Sequence, residues 1–251
     1  MTKRPSARTL TVIESRQLTP SMRRVTLGGP GLAGFPPDQT GGYVKLYLGI
    51  AASGKPTVRT YTIRNQRPDA IELDFALHGG SAAGPATRWA LAARPGDTIE
   101  VGGPGAAKPL PGGHDFYLVA GDMTALPAIG ANLERLKDDA RGLVAIEVQV
   151  EADRVALASP PGMTICWLVN PEPGKRPELL ADALRAADLP SGRIAGWAAA
   201  EFGAMRSLRA LLRDELKLPN GSLYVSSYWK HGLIEDEHKL AKREDSDRQA
   251  A

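Results

Sequence analysis

The hydrophobic rhythm of the chain changes once, near residue 112, and this change constrains the fold more than any other feature. Up to that point apolar and polar residues alternate. Ile71, Leu73, Phe75 and Leu77 are interleaved with Glu72, Asp74, Ala76 and His78, and Val44, Leu46 and Leu48 with Tyr43, Lys45 and Tyr47. A period of two puts the apolar set on one face of a β-strand. Shorter stretches of this kind lie around Leu10 to Ile13, Arg24 to Leu27 and Thr98 to Val101, and Gly28-Gly29-Pro30, Pro36-Pro37, Gly41-Gly42 and Gly102-Gly103-Pro104 separate them. Closely spaced strands with such turn signals predict an antiparallel barrel or sandwich. One helix, from about Pro85 to Ala93, interrupts it.

Beyond Gly112-Gly113 short apolar runs alternate with helical patterns. The runs are Phe116 to Ala120, Val144 to Val150, Met163 to Val169, Ile194 to Ala200 and Leu223 to Ser227. They lack alternation, as strands covered on both faces do. Leu126, Ile129, Leu133 and Leu136 share one helical face, with Thr124 placed to cap it; a second helix is expected over about 177–187, and a third carries Met205, Leu208, Leu212 and Leu216. Strand and helix in alternation predict a parallel sheet with right-handed crossovers. The expected architecture is therefore an N-terminal antiparallel β-barrel followed by a C-terminal α/β parallel-sheet domain, with boundaries at 1–111 and 112–232 and a charged extension over 233–251. The segment from Pro104 to Gly113 reads as the linker. This organisation accounts for the 27 glycines and 20 prolines, which follow no period and mark turns between short elements.

Several function classes are excluded or disfavoured. A single cysteine, Cys166, permits no intramolecular disulfide, and His78, His114, His231 and His238 have no metal-ligand spacing. No apolar stretch reads as a signal peptide or a membrane span, so a cytoplasmic protein without membrane partners is expected; nucleic-acid partners are not expected either, and no sequence feature sets the oligomeric state, for which a monomer is the default expectation. The balance of 31 basic and 28 acidic residues gives a net charge of +3, concentrated locally. Lys3, Arg4, Arg8, Arg16, Arg23 and Arg24 face Glu14 alone within the first 30 residues. Either a basic strand pair meets an anion or these are solvated outer faces. The bases are not interleaved with aromatic residues, as a nucleic-acid surface would require.

Chemistry concentrates in three places. In Arg59-Thr60-Tyr61-Thr62-Ile63-Arg64, strand periodicity projects Arg59 and Tyr61 together, offering a ring, a hydroxyl and a cation to a planar phosphate-bearing cofactor. A half-exposed strand with a paired cation would look the same. Gly79-Gly80-Ser81-Ala82-Ala83-Gly84 runs into a helix whose start, with Thr87, suits an anion; a capped turn is the plainer reading. Ala120-Gly121-Asp122-Met123-Thr124-Ala125 forms the first strand-to-helix turn of the α/β half, where such sheets bind ligands.

Taken in order, R-T-Y-T-I-R, I-E-L-D-F-A-L-H-G, G-P-A-T-R-W-A, A-G-D-M-T-A-L-P-A-I and Y-W-K-H-G resemble the siderophore-interacting proteins, flavin-containing ferric-siderophore reductases of the ferredoxin–NADP reductase superfamily. The resemblance spans about residues 8 to 232. It implies FAD held by Arg59, Tyr61 and Thr62, with Tyr61 against the isoalloxazine and Arg59 on the pyrophosphate. His78 and Gly79 would line the adenosine side, and Gly84, Ala86 and Thr87 would meet the phosphates. Gly121, Asp122, Thr124, Ala125 and Glu201 match the nicotinamide-nucleotide side, and Tyr228, Trp229, Lys230 and Gly232 the segment that closes over the flavin. The implied reaction is reduction of chelated Fe(III) to Fe(II), with NADPH, NADH or ferredoxin as donor. Lys45 and Lys230, then Arg64, are the cations expected to attract an anionic ferric siderophore. A general flavin reductase and a flavin-free siderophore-binding module are the alternatives. The chain departs from the family pattern at three positions. Met123 stands where glutamate is usual, Ser227 where glycine is, and Ala200 replaces the glycine that would let a nicotinamide ring approach the strand end.

Overall fold

A computed structural model describes residues 7–51, 54–78, 83–232 and 243–245. The charged extension expected over 233–251 falls outside the described residues except at 243–245. Two compact units result. One holds the chain to Pro109 together with Gly130–Asn132, the other Leu110–Ile129 and the chain from Leu133 onward.

The first unit is the closed antiparallel barrel that the alternation predicts. Its strands are β1 (Arg8–Thr19), β2 (Met22–Gly28), β3 (Tyr43–Ile50), β4 (Pro56–Arg67), β5 (Ala70–Ala76) and β6 (Thr98–Gly105), in the order β1-β2-β5-β4-β3-β6. Ile71, Leu73 and Phe75 from one strand, and Val44 and Leu46 from another, are fully buried in its core. Helix α1 (Pro85–Ala92) docks on that core through Ala90 and Trp89. Strand β6 runs two residues into the expected linker, because Tyr43 pairs with Gly105 and its ring fills the space a side chain there would need.

The basic N-terminal strands are engaged internally. Arg8 donates to the carbonyls of Gly31, Ala33 and Gly34, and Arg23 to Ser15 and Gln17. Arg24 forms a fork on Asp74 at 2.6 and 2.8 Å and reaches Glu72 at 3.0 Å. Those acids are 9% and 8% exposed, so the guanidinium is what allows the polar side of β5 to be covered.

The second unit is a five-stranded parallel sheet. Strands β7 (Phe116–Gly121), β8 (Arg141–Val148), β9 (Gly162–Val169), β10 (Ile194–Glu201) and β11 (Leu223–Trp229) lie in the order β11-β10-β7-β8-β9. Helix α2 (Leu126–Leu133) follows β7, α3 (Leu179–Arg185) follows β9, and α4 (Phe202–Arg209) follows β10. Leu180, Leu184 and Leu208 bury the apolar stripes of α3 and α4 against the sheet. Two details differ from the expected pattern. Residues 149–161 connect β8 to β9 with only a short 3-10 turn, and α4 continues as a π-helix over Ala210–Glu215 rather than as one α-helix to Leu216. The order of strands reverses between β7 and β10, so the crevice at their carboxyl ends is the position where ligands bind in open parallel sheets.

Arg24→Ala strands two covered carboxylates with less compensation, Glu72 retaining Arg67 at 2.5 Å. Loss of about 3 kcal/mol of stability is expected, read as a shift of the denaturant midpoint at neutral pH. A shift below about 0.5 kcal/mol would place the barrel's stability elsewhere.

Candidate functional site

In the barrel unit the site grows from the pairing of β3 with β4. Directly opposed residues share a face, and Arg59 opposes Leu46 while Tyr61 opposes Val44. Both partners are fully buried, so Arg59 and Tyr61 project toward the core side of the barrel. Lys45 opposes Thr60, and Tyr43 opposes Thr62, on the outer side. The half-buried Tyr61 ring rests on Phe75 with centroids 4.2 Å apart, and Phe75 lies 5.6 Å from Trp89 of α1. Arg59 Nη1 donates to the Val58 carbonyl at 2.9 Å. Arg64 is the extra residue where the β4–β5 register shifts between Ile63 and Asn65; a bulge of this kind re-aims the side chain it inserts.

The start of α1 is built for an anion. Pro85 is its first residue, the extended Gly84 precedes it, and no side chain caps it. Ala86 and Thr87 are buried in its first turn, and among the described residues nothing lies within 4 Å of where a Gly84 side chain would stand. Unpaired N–H groups at the positive end of a helix dipole, with open space before them, attract phosphate. Arg88 donates to the Ala83 carbonyl, holding the approach to the helix. His78 is exposed beyond the end of β5; Gly79 lies outside the described residues. Beside α1 opens a cleft of about 360 Å³, walled by Tyr47, Leu48, Pro85 and Trp89 with Glu100 at its edge. The sequence reading did not include Tyr47 or Trp89 in the site, although Pro85 and Trp89, four residues apart, necessarily share a helix face.

In the α/β unit the crevice between the ends of β7 and β10 is occupied by a buried carboxylate. Asp122 Oδ1 accepts from the Thr124 amide at 2.9 Å and its hydroxyl at 2.5 Å; Oδ2 accepts from the Glu201 amide and from Trp229 Nε1, both at 2.8 Å. Burial pushes its pKa above the ordinary value, while these bonds pull it back. Glu201 ends β10 and is likewise engaged. It caps α4 through the Gly203 amide and accepts from the His231 amide at 3.0 Å. The β10–β11 register skips one residue between Ala200 and Glu201, so Tyr228 is extra and Glu201 pairs with Trp229. Lys230 Nζ lies 4.5 Å over the Phe202 ring. The Tyr228 hydroxyl stays protonated, since burial, then the neighbouring Tyr224, push its pKa well above the usual range.

The neighbouring residues pack inward. A side chain at Gly121 would come within 2.7 Å of the Ala199 carbonyl, so glycine is needed for β7 to lie beside β10. Ala125 is fully buried. Ala200 is fully buried in the cluster formed with Leu180, Leu184 and Leu208, which turns its methyl toward α3 and α4. Glu147, near the end of β8, was absent from the sequence reading; an acid inside the apolar run Val144 to Val150 was the available signal. Its carboxylate accepts from Asn170 Nδ2 at 2.9 Å, and its pKa is pushed up to about 7. Burial is the main cause, with repulsion from Asp122 and Glu201 added; Asn170 and Arg176 oppose it. Among the described residues no group of side chains is arranged to hold a metal ion.

Glu147 gives the fold a pH dependence. The folded state holds the proton more tightly than the unfolded chain, whose glutamate titrates near 4.5. The contribution is therefore complete below pH 4.5, declines as pH rises toward 7 and is flat above. At about 1.4 kcal/mol per pKa unit the decline is of order 3 kcal/mol. Glu147→Gln, which can still accept from Asn170, should match the wild type at pH 4.5 and exceed its thermal midpoint at pH 8; parallel profiles would refute the assignment.

With this geometry established, comparison with known proteins is informative. Residues 114–232 match the family described as siderophore-interacting protein, and residues 11–54 and 49–108 match the siderophore-interacting FAD-binding domain. The chain is 33% identical over 250 residues to the ferric vibriobactin reductase ViuB of Vibrio cholerae, covering 91% of each protein. Among solved structures it superposes on the siderophore-interacting protein SipS of Aeromonas hydrophila with a TM-score of 0.84 at 34% identity, covering 96% of this chain and 98% of that one. A siderophore utilization protein from T. fusca gives a TM-score of 0.80 at 31% identity, with 93% and 96% covered. Two family matches that together cover both units, and relatives alike over nearly their whole length, agree with the motif order: the chain belongs to the siderophore-interacting protein family and carries its FAD-binding domain.

Proposed function

We propose that this chain is a ferric-siderophore reductase that uses FAD to reduce chelated Fe(III) to Fe(II), so that the weaker-bound ferrous ion leaves. The observation that carries the reading is the barrel's combination of the Tyr61 ring on Phe75, the Arg59 guanidinium on the same side of β4, and the uncapped start of α1. These residues fit FAD. Tyr61 offers a ring face to the isoalloxazine, Arg59 a cation to the pyrophosphate, and the Ala86 and Thr87 amides further donors to the phosphates. Gly84 would leave room for the phosphates and His78 would line the adenosine side, whereas Thr62, on the other side of β4 from Tyr61, would not meet the same face of the flavin. FAD held by these residues would supply the redox chemistry, acceptance of electrons from a donor and their one-electron delivery to iron.

The remaining work of the protein is electrostatic. Lys45 on the outer side of β3, Lys230 after β11 and Arg64 at the β4 bulge raise the local concentration of an anionic chelate. No general base or nucleophile is required. NADPH, NADH or ferredoxin serves as donor. For a nicotinamide donor at the ends of the parallel strands, Ala200 is compatible because its methyl is directed into the core. The protein works as a monomer in the cytoplasm.

The purified protein should be yellow, or become so with added FAD, and Tyr61→Ala should reduce flavin retention at least tenfold. After anaerobic reduction with dithionite, the flavin should be reoxidised by Fe(III) tris-(2,3-dihydroxybenzoate). Lys45→Ala and Lys230→Ala should each raise the half-saturating chelate concentration about tenfold at low ionic strength, less at high salt, with flavin content unchanged. A colourless protein that binds no FAD would identify a binding module instead. Reoxidation by free flavin but not by the chelate would identify a general flavin reductase.

A further inference from the structure

Lys230 is bracketed by two tethers that start from the sheet. The residue before it, Trp229, donates its indole N–H to Asp122 at 2.8 Å; the residue after it, His231, donates its backbone N–H to Glu201 at 3.0 Å. The two acids are themselves joined, since the Glu201 amide donates to Asp122 at 2.8 Å. Four donated bonds occupy the four acceptor positions of the Asp122 carboxylate, so this side chain has no acceptor site to spare for a ligand. The one-residue bulge at Tyr228 brings Trp229 opposite Glu201. Lys230 then lies with its ammonium over Phe202, the first residue after Glu201.

We propose that Asp122 is a positioning residue rather than a nucleotide ligand: with Glu201 it forms a clasp that fixes the Trp229–His231 segment and so presents the Lys230 ammonium to the ferric chelate. A lysine on an untethered terminal segment would lose backbone and side-chain freedom on each binding event; a tethered one has lost the backbone part beforehand. The inference rests on the reading of Lys230 as a chelate-binding cation.

Asp122→Ala tests the clasp, because it removes the single oxygen, Oδ2, that accepts from both Trp229 and Glu201. The FAD-loaded protein, labelled with ¹⁵N at indole nitrogen, reports it directly, the Trp229 signal being assigned by its loss in Trp229→Phe. Indole N–H exchange of Trp229 should be at least tenfold faster in Asp122→Ala than in the wild type. Reoxidation of the dithionite-reduced protein by Fe(III) tris-(2,3-dihydroxybenzoate) should need a several-fold higher half-saturating concentration, a larger factor than any fall in the limiting rate. Trp229→Phe, which keeps the ring and removes only the donor, should raise that concentration similarly, and the double variant should not multiply the two effects. It also keeps the test available if Asp122→Ala folds poorly. Unchanged indole exchange, or effects that multiply in full, would overturn the clasp. Faster exchange together with a Lys230→Ala variant of wild-type chelate dependence would leave the clasp standing and reject Lys230 as the chelate ligand.

Discussion

A carboxylate removed from water must find donors or keep its proton, and the α/β unit is organised around one that found four. Asp122 joins the turn after β7, the end of β10 and the indole at the end of β11. Glu147 has Asn170 and lies near two other acids, so its pKa rises to about 7. Asp74 in the barrel takes a third course and is matched by the Arg24 fork. The differences follow from what each neighbourhood supplies. The crevice of a parallel sheet is rich in backbone N–H groups at strand ends, whereas the wall of a barrel has spent its N–H groups on the ladder and depends on a side-chain cation.

This division bears on function because a flavin enzyme needs little from its protein beyond binding, orientation and charge. The barrel supplies a ring, a cation and a helix start, all on elements fixed by the core. The α/β unit supplies strand ends and a tethered terminal segment. Neither needs a group that changes protonation during turnover, and the Tyr228 hydroxyl beside the clasp is held neutral.

The barrel was legible because period-two alternation is a local property. Ile71, Leu73 and Phe75 read as one face in the sequence and are fully buried in the structure. The Arg59–Tyr61 pair was legible for the same reason. The clasp was not, since Asp122 lies 79 residues from Glu201 and 107 from Trp229, and no spacing rule links them. The acids of β5 show the opposite difficulty. Glu72 and Asp74 alternate with the apolar set of β5, and only the pairing of β2 with β5 sets Arg24 beside them. The same contact removes Arg24 from the basic group that had suggested an anion-binding surface. The end of β6 was missed because the packing of the Tyr43 ring against Gly105 is a tertiary contact that overrides local propensity there.

The three positions at which the chain departs from the pattern that its motifs resemble are all buried. Ala200 and Ser227 are register partners on β10 and β11, 0% and 3% exposed. Met123 is 5% exposed, and its sulfur meets the Gln149 amide at 3.8 Å. A glutamate at 123 would add a fourth acid to a crevice that already holds Asp122, Glu147 and Glu201, three groups whose mutual repulsion helps to raise the pKa of Glu147. Methionine fills the volume without the charge. Methionine at 123 therefore adds no charge beside the two acids that form the clasp.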